Sequence, residues 1–332
     1  MEWYILRSDK WFWLLLLSLP LSVLLSLSTG PVELNWSAIT GDGVAGQVFW
    51  QLRLPRLLLT LMAGALLAIT GGAAQSLFRN PLADPGLIGV SAGAALSAGL
   101  MMVLLGSYIS LLGGFLLPLA AFLGGVATTL LVARLAGSLQ GVSVTTMLLC
   151  GIAINAIAAA GLGGLKYLAA DQELRQLSFW LLGSLNHSRW QDLLVLALVA
   201  VPVLLLLPRF GQKLNLLLLG EQQASLLGLN VLRCKRVIIL LIALGVGAVV
   251  ALTGIISFMG LVVPHLIRLM FGPDNRRLLP LSALLGATML TLADVLSRVL
   301  VAPAELPVGV VTALVGGPFF LLMLLHRRRS AL

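Results

Sequence analysis

The sequence predicts an all-α polytopic membrane protein, a bundle of ten transmembrane helices with an inverted internal repeat. The first observation is composition: 59% of the 332 residues are hydrophobic and 10% are charged, whereas soluble domains carry about 25% charged residues. The second is a series of long runs without Asp, Glu, Lys or Arg. Crossing a hydrocarbon core takes roughly 20 apolar residues, and most of these runs are long enough. They cover residues 11–32, 57–78, 85–133, 135–165, 193–208, 237–267, 278–293 and 306–326.

The distribution of Lys and Arg orients the spans. Basic residues lie at the ends of apolar runs, so the net charge of +9 indicates membrane topology and not nucleic-acid binding. One arrangement groups 15 of the 21 basic residues on one side, which the positive-inside rule makes cytoplasmic. The other six are Arg53, Arg56, Lys166, Arg175, Arg189 and Arg298.

Ten helices satisfy this sorting and place both termini in the cytoplasm. The run 237–267 is treated as a hairpin breaking near Thr253-Gly254, because a single helix would put Arg236 and Arg268 on opposite sides; nine helices are the alternative. The first span is expected to be an uncleaved helix and not a signal peptide, because its apolar run is long. The predicted spans are 11–28, 57–77, 87–106, 111–134, 143–167, 190–208, 236–253, 256–271, 278–299 and 307–326.

An internal repeat supports the bundle. The octamer GALLAITG at residues 64–71 matches GAVVALTG at residues 247–254. The two copies fall in the second and seventh predicted helices, which point in opposite directions. Inverted repeats of this form are common in transporters. A chance match between Gly- and Ala-rich segments is the alternative.

The chain carries no sequence motif of an ATPase or a metalloprotease. It has neither the GxxxxGK[ST] phosphate-binding motif nor the HExxH zinc motif. The two cysteines, Cys150 and Cys234, indicate neither a disulfide framework nor a metal cluster. We therefore predict no catalytic residue, no metal and no bound cofactor, and any ATP hydrolysis must come from another subunit.

Five motifs between and within the helices carry a family resemblance. They are Arg53-Leu54-Pro55-Arg56, Arg79-Asn80-Pro81-Leu82-Ala83, Gly260-Leu261-Val262-Val263-Pro264-His265, Ala293-Asp294 with Arg298, and Glu305-Leu306-Pro307-Val308-Gly309. In this order and spacing, the chain from its second helix to its C-terminus resembles the FecCD family. Members of that family are permease subunits of ABC importers for ferric siderophores, heme and cobalamin.

The resemblance implies an architecture and a set of partners. The chain would be a type II ABC importer permease, one transmembrane domain over residues 1–332, working as a homodimer in the bacterial inner membrane. Two ATP-binding subunits would dock on the cytoplasmic side, where residues 209–235 form the coupling segment. A substrate-binding protein would dock on the outer side. The remaining partner is the lipid bilayer, and no nucleic acid is expected.

The resemblance also assigns residues to the docking surfaces. Outside, Arg53, Arg56 and Arg298 match arginines that meet glutamates of the binding protein, because Arg forms two-pronged pairs with carboxylates. Headgroup anchoring is the alternative, and Arg298 has a second one in an i,i+4 pair with Asp294. An interfacial helix is the alternative for the coupling segment. Its predicted contacts with the ATPase are Gly220, Glu221, Ala224, Leu226, Leu227 and Gly228.

A third group is assigned to the translocation path. Ser143, Thr145 and Thr146 fall where the family places its cytoplasmic gate, although short Ser/Thr runs at a helix start are also ordinary caps. Asn155 is a pore-lining candidate, with interhelical hydrogen bonding as the alternative. His187 lies in an outer loop where it can meet heme, whereas His265, part of a motif shared by members with other cargo, is expected to be structural.

The prediction of the cargo depends on two short segments. The Val301–Glu305 segment is most similar to heme permeases, whereas Leu174–Leu177 with Trp180 is as similar to cobalamin permeases. We favour heme or a ferric siderophore, with cobalamin as the alternative. An ion-driven secondary transporter usually shows carboxylates in several spans, and only Asp294 qualifies here. A membrane assembly factor would not need the outer arginines.

Overall fold

The computed structural model describes residues 2–30, 43–106, 114–138 and 141–329, and nearly all of them are helical. Two-residue strands β1 (Gly137–Ser138) and β2 (Gly141–Val142) pair antiparallel. The helices are α1 (Glu2–Ser28), α2 (Gly43–Gln47), α3 (Leu54–Leu77), α4 (Val90–Leu104), α5 (Leu116–Leu135), α6 (Val144–Leu168), α7 (Asp171–Leu181), α8 (Trp190–Leu206), α9 (Gly211–Leu219), α10 (Glu221–Leu226), α11 (Val231–Thr253), α12 (Met259–Phe271), α13 (Asn275–Val299) and α14 (Val308–Arg329).

The described residues contain ten apolar helices that correspond to the predicted spans. Seven segments are long and apolar enough to cross a membrane, and α4, α12 and the apolar part of α14 are shorter. The hairpin within residues 237–267 is confirmed, because α11 ends at Thr253 and α12 begins at Met259. Phe258, in the left-handed region at φ +67°, makes the turn into α12. The nine-helix alternative is therefore wrong.

The structure departs from the predicted spans mainly at their ends. A π-helical segment, Val48–Arg53, joins α2 to α3. The helix α3 itself begins at Leu54, before the predicted start of this span at residue 57. The helix α7 was not predicted, and neither was α9, which continues from α8 through the 3₁₀ turn Leu207–Phe210. Neither helix falls within a predicted span, and the acidic first turn of α7, with Asp171 and Glu173, is a helix-start signal that the prediction overlooked. The break predicted at Gly106-Ser107-Tyr108 lies partly outside the described residues.

The core is built around α3, whose residues are mostly buried, and it packs most extensively against α13. Glycines allow these backbones to touch. A Cβ added to Gly64 would lie 2.3 Å from the carbonyl oxygen of Gly286, and one added to Gly286 would lie 2.4 Å from the Cβ of Ala68. At Gly71 the backbone of α12 is equally close, with Gly260 O at 2.0 Å from the added Cβ. Small residues give membrane helices this close approach because lipid supplies no hydrophobic force between them.

The helix α11 is the second buried element, and it contacts both α3 and α5. The two matched octamers, residues 64–71 and 247–254, therefore lie in the two helices that build the centre of the bundle. Helices α1 and α6 are mostly exposed in this single chain. We call the face that carries Arg79, Lys213 and Arg276 the basic end, and the face that carries Arg56 and Lys166 the opposite end.

The α3–α13 contact leads to a stability prediction. Gly64→Ala forces a methyl group into the backbone of Gly286, and overpacking of this kind costs about 1–3 kcal/mol. Gly163→Ala is the matched control, because nothing lies within 4 Å of its added Cβ. Thermal unfolding of the detergent-solubilised chain should show a clear loss for Gly64→Ala and none for Gly163→Ala. Equal midpoints for the two variants would contradict the packing described here.

Candidate functional site

The opposite end holds a buried ion cluster centred on Arg56. This residue lies in the first turn of α3 beside Pro55, whose fixed φ suits that position. Its guanidinium donates from Nε and Nη2 to Asp294 Oδ1, at 3.0 and 2.8 Å, and from Nη1 to Glu305 Oε2, at 2.9 Å. The Arg56 and Asp294 side chains are 13% and 1% exposed. Little water screens this pair, so its electrostatic attraction is strong.

Arg298 belongs to the same cluster and also holds the end of α1. Its Nε lies 3.3 Å from Asp294 Oδ2, which confirms the predicted i,i+4 pair. Its Nη1 donates to the carbonyl of Thr29 at 2.8 Å, and its Nη2 to Ser26 Oγ at 3.0 Å. Arg53 donates from Nη1 to the carbonyl of Leu27 at 2.6 Å. Cations satisfy the last carbonyls of a helix and its negative dipole end, so the two arginines fasten α1 to the bundle.

These contacts bear on the predicted docking role of the arginines. In this conformation all three guanidinium groups meet acceptors of their own chain, and the side chains are mostly buried. The Arg56–Asp294 pair, which spans 238 residues of sequence, was not predicted. The sequence feature that indicated this pair was the presence of two opposite charges at the ends of separate spans. Docking by Arg53, Arg56 and Arg298 stays a prediction.

A cavity of about 900 Å³ opens beside this cluster. Residues of α7 line it together with the ends of α5, α8 and α11 that lie at the opposite end, and Glu305 lies on its wall. Trp180 and Phe179 supply aromatic surface, while Arg175 and Arg189 supply positive charge. Pockets that bind drug-sized ligands measure about 300–1,000 Å³ and combine apolar walls with a few polar groups. The cavity lining also includes the carboxylates of Asp192 and Glu305, so the cavity has the size and mixed lining for a large amphipathic molecule.

The predicted coupling segment forms a short, exposed helix at the basic end. Gly220 (φ +129°) turns the chain from α9 into α10. Gly228 (φ +85°) ends α10, where Leu229 N donates to Ala224 O at 3.0 Å. This is the hydrogen bond of a Schellman cap, so the predicted helix stop is confirmed. Ala224 is buried, whereas Leu226 and Leu227 are 89% and 62% exposed. Two neighbouring leucines thus leave apolar surface uncovered in this chain.

The residues predicted for the translocation path have defined contacts. Ser143 is the N-cap of α6, and its Oγ accepts from Thr146 N at 3.3 Å. Thr145 and Thr146 are exposed at the same helix start. Asn155, further along α6, donates from Nδ2 to the carbonyl of Gly86 at 3.2 Å and so ties α6 to the loop before α4. These contacts correspond to the structural alternatives given above, and a gating role remains a prediction.

The histidines separate into different environments. His187 lies at the wall of the cavity beside Arg56, called the outer cavity below, whereas His265 is buried within α12. Among the described residues, no group of three His, Cys, Asp or Glu side chains has the arrangement of a metal site. The buried position of His265 fits the structural role expected from its motif.

Comparison with known proteins identifies the family. The model of the FecCD transport family matches residues 15–326. The chain belongs to the FecCD transport family. It is 45% identical over 320 residues to the hemin transport system permease protein HmuU of Yersinia pestis, covering 95% of each chain. It is 43% identical to the vitamin B12 import system permease protein BtuC of Vibrio cholerae, covering 95% of this chain and 94% of that one.

A solved structure supports the same assignment for this FecCD protein. An inward-facing metal-chelate type ABC transporter superposes with a TM-score of 0.84 at 31% identity, covering 96% of this chain and 99% of the other. The predicted fold class is therefore confirmed: the chain is an ABC transporter permease of multiple membrane-spanning helices. It is a transporter subunit, consistent with the absence of an ATPase motif in its sequence.

The ion cluster at the opposite end generates a second stability prediction. Arg56→Leu leaves Asp294 buried with one arginine fewer, and breaking a buried pair from one side costs about 3–5 kcal/mol. Arg175→Leu is the matched control, because Arg175 is exposed at the same end of the molecule. Surface substitutions of this kind change stability by about 0.5 kcal/mol or less. Thermal unfolding in detergent should lower the midpoint much more for Arg56→Leu, and equal losses would argue against the buried cluster.

Proposed function

We propose that this chain is the transmembrane subunit of an ATP-driven importer that moves a heme-class iron chelate into bacterial cells. Its partners are a second copy of itself, two ATP-binding subunits and a substrate-binding protein. The observation that carries the proposal is membership in the FecCD family over nearly the whole chain, with 45% identity to a hemin permease. Sequence similarity at this level commonly preserves the direction and driving force of transport, whereas cargo changes more readily.

The basic end is the cytoplasmic face in this proposal, and both termini lie there. The bulk of Lys and Arg is on that side, as the positive-inside rule requires for a cytoplasmic face. Lys213 and Arg276 are exposed at the basic end, and Lys166 is exposed at the opposite end. The membrane is the bacterial inner membrane, and the cavity beside Arg56 then faces the outer side.

The ATP-binding subunit docks on α10 at the cytoplasmic face. Support comes from Leu226 and Leu227, whose apolar side chains project from a helix that starts and ends at glycines. Burying a leucine side chain is favourable by about 1.5–3 kcal/mol, so a groove on a partner gains from covering both. The position and length of this helix are set by Gly220, Glu221, Ala224 and Gly228.

The binding protein docks at the opposite end. Arg56 and Arg298 pair with two carboxylates there, Asp294 and Glu305, and Arg53 adds a third positive charge to the group. A buried excess of positive charge attracts an acidic surface and speeds its approach. Docking contacts by the arginine side chains themselves need a rearrangement of the pairs described above.

The cargo proposal favours heme over cobalamin by a small margin. The outer cavity combines the rings of Trp180 and Phe179 with Arg175, which suits a planar macrocycle bearing carboxylates. Cobalamin is the second candidate because the similarity to a vitamin B12 permease is almost as high, at 43% identity. A ferric siderophore is the third member of the same class.

Reconstitution tests the function and the cargo together. Vesicles containing this chain and its ATP-binding subunit, with the binding protein outside, should accumulate heme only when ATP is supplied on the ATPase side. Parallel vesicles with cyanocobalamin or a ferric siderophore compare the cargo classes. Uptake by this chain alone without ATP would contradict the importer proposal, and ATP-driven uptake of cobalamin in preference to heme would reassign the cargo.

A variant pair separates docking of the ATPase from general damage at the same face. Leu226→Arg places a charge in the apolar surface of α10, so ATP-dependent uptake and co-purification of the ATP-binding subunit should both fall. Gln212→Arg adds the same side chain at an exposed position of α9 and should leave both readouts unchanged. Equal behaviour of the two variants would remove α10 from the docking surface.

The orientation of the chain can be measured separately. In a background without Cys150 and Cys234, Lys166→Cys should react with a membrane-impermeant maleimide from outside intact cells. Lys213→Cys and Arg276→Cys should react only after the membrane is opened, because both lie at the basic end. Labelling of Arg276→Cys from outside would reverse the assignment of the cytoplasmic face.

A further inference from the structure

The polar side chain of Asn215 joins the helix α9 to the bundle, beside the buried side chains of Leu214 and Leu217. Its Nδ2 donates to Asp274 Oδ1 at 2.6 Å, and its Oδ1 accepts from the backbone N of Asn275 at 2.9 Å and from Nδ2 of Asn275 at 2.8 Å. Asn215 therefore grips the first residues of α13. The approach is close, because a Cβ added to Gly211 of α9 would lie 3.0 Å from the backbone of Arg276.

The hydrogen bonds of Asn215 continue into α3 through buried groups. Asn275 is fully buried, and its Oδ1 accepts from Ser76 Oγ in the last turn of α3 at 2.5 Å. Three helices thus share one chain of hydrogen bonds: α9 through Asn215, α13 through Asn275, and α3 through Ser76. Removing one member leaves buried donors or acceptors without partners, which destabilises the network. The joint between α9 and the α3–α13 pair is therefore specific in geometry.

The carboxylate of Asp274 stays charged in this joint. Hydrogen bonds from Arg276 first, and then from Asn215, lower the pKa of Asp274 to about 2. A lowered pKa in the folded state adds stability above the unfolded value of about 3.9, and that stability is lost only as pH falls toward 2. The joint is therefore insensitive to pH over any range used for transport measurements.

A second joint connects α10 to α11. Lys235 lies near the start of α11 and is 2% exposed, and its Nζ is 2.6 Å from Oε2 of Glu221, the first residue of α10. A buried lysine needs a charge partner because desolvation disfavours its ammonium form. Arg236, the next residue, is exposed. The charge at position 235 is therefore directed inward to α10, while its neighbour faces away.

Each joint leads to a helix that reaches the opposite end. The α13 helix, held by Asn215, ends beside the Arg56–Asp294 cluster. The α11 helix, held by Lys235, ends at Thr253 on the wall of the outer cavity, where its carbonyl accepts from Ser184 N at 2.7 Å. Through Asn215 and Lys235, the segment α9–α10 is thus connected to α13 and α11, and both of these helices extend to the opposite end.

We propose that Asn215 and Lys235 are positioning residues for energy coupling. They fix α9 and α10 to α13 and α11, so that a displacement of α10 by the ATPase moves these helices instead of bending the segment between them. The inference rests on the proposed docking of the ATPase at α10. It names two residues outside that docking surface whose loss separates ATP hydrolysis from transport.

The test measures cargo taken up per ATP hydrolysed in the reconstituted complex. Asn215→Leu removes the hydrogen bonds at similar volume, and Lys235→Met removes the charge at similar length. Because coupling free energies between sites are about 1–3 kcal/mol, the ratio should fall about five-fold or more in each variant. Lys235→Arg keeps the charge and should restore most of the ratio. Gln212→Leu and Arg236→Met are exposed controls on the same helices and should match the wild type.

A fall in the ratio with ATPase co-purification retained supports the proposal. An unchanged ratio, or uptake and hydrolysis falling in parallel, overturns it and leaves the two residues with a structural role. Absence of ATP-driven uptake by the wild-type complex would instead overturn the proposed function.

A second measurement does not depend on transport at all. Amide hydrogen exchange of α9 and α10 in the isolated chain should accelerate in Asn215→Leu and Lys235→Met, while exchange in the middle of α13 stays at the wild-type rate. Unchanged exchange in α9 and α10 would show that the two contacts do not hold the segment, and would also overturn the proposal.

Discussion

The close packing of α3 against α13 is the contact on which the rest of the bundle depends. Gly64 and Gly286 bring the two backbones within reach of each other, and the pair is joined at both ends by polar contacts, Ser76–Asn275 and Arg56–Asp294. Packed interfaces of this kind have a few discrete arrangements and do not deform smoothly. The two helices therefore behave as one rigid element, to which α1, α9 and α12 are attached.

The placement of polar groups follows from the solvent. In lipid, an unpartnered polar group costs several kcal/mol, so charged side chains that leave the water must be paired within the protein. The contacts between α3 and α13 that use charge lie at one end of the pair, and those that use neutral hydrogen bonds lie at the other. Between them, Thr70 and Thr291 bond to their own helices. The centre of the contact is left to small residues and shape.

The sequence predicts the helices better than it predicts their partners. Uncharged runs and basic ends located ten spans and the hairpin before Met259, because both signals come from the lipid and need no tertiary contact. The helices α7 and α9 were missed, since they lie between the long uncharged runs, where neither signal applies. For the site, the cap at Gly228 and the Arg298–Asp294 pair are local and were predicted. The contacts of Arg56, Asn215 and Lys235 join segments that are far apart in the sequence. A single sequence does not show which of its distant segments are in contact.

The buried Asp294 also has a consequence for the biogenesis of the protein. As α13 leaves the ribosome it carries Asp294 and Arg298 at the end of its apolar stretch, and ionisable side chains in a membrane span are costly until they are paired. Arg56 is synthesised long before Asp294, on a helix that is already in the membrane. Insertion of α13 is therefore favoured once α3 stands beside the translocation machinery, so the order of synthesis and the charge pairing of the finished fold work in the same direction.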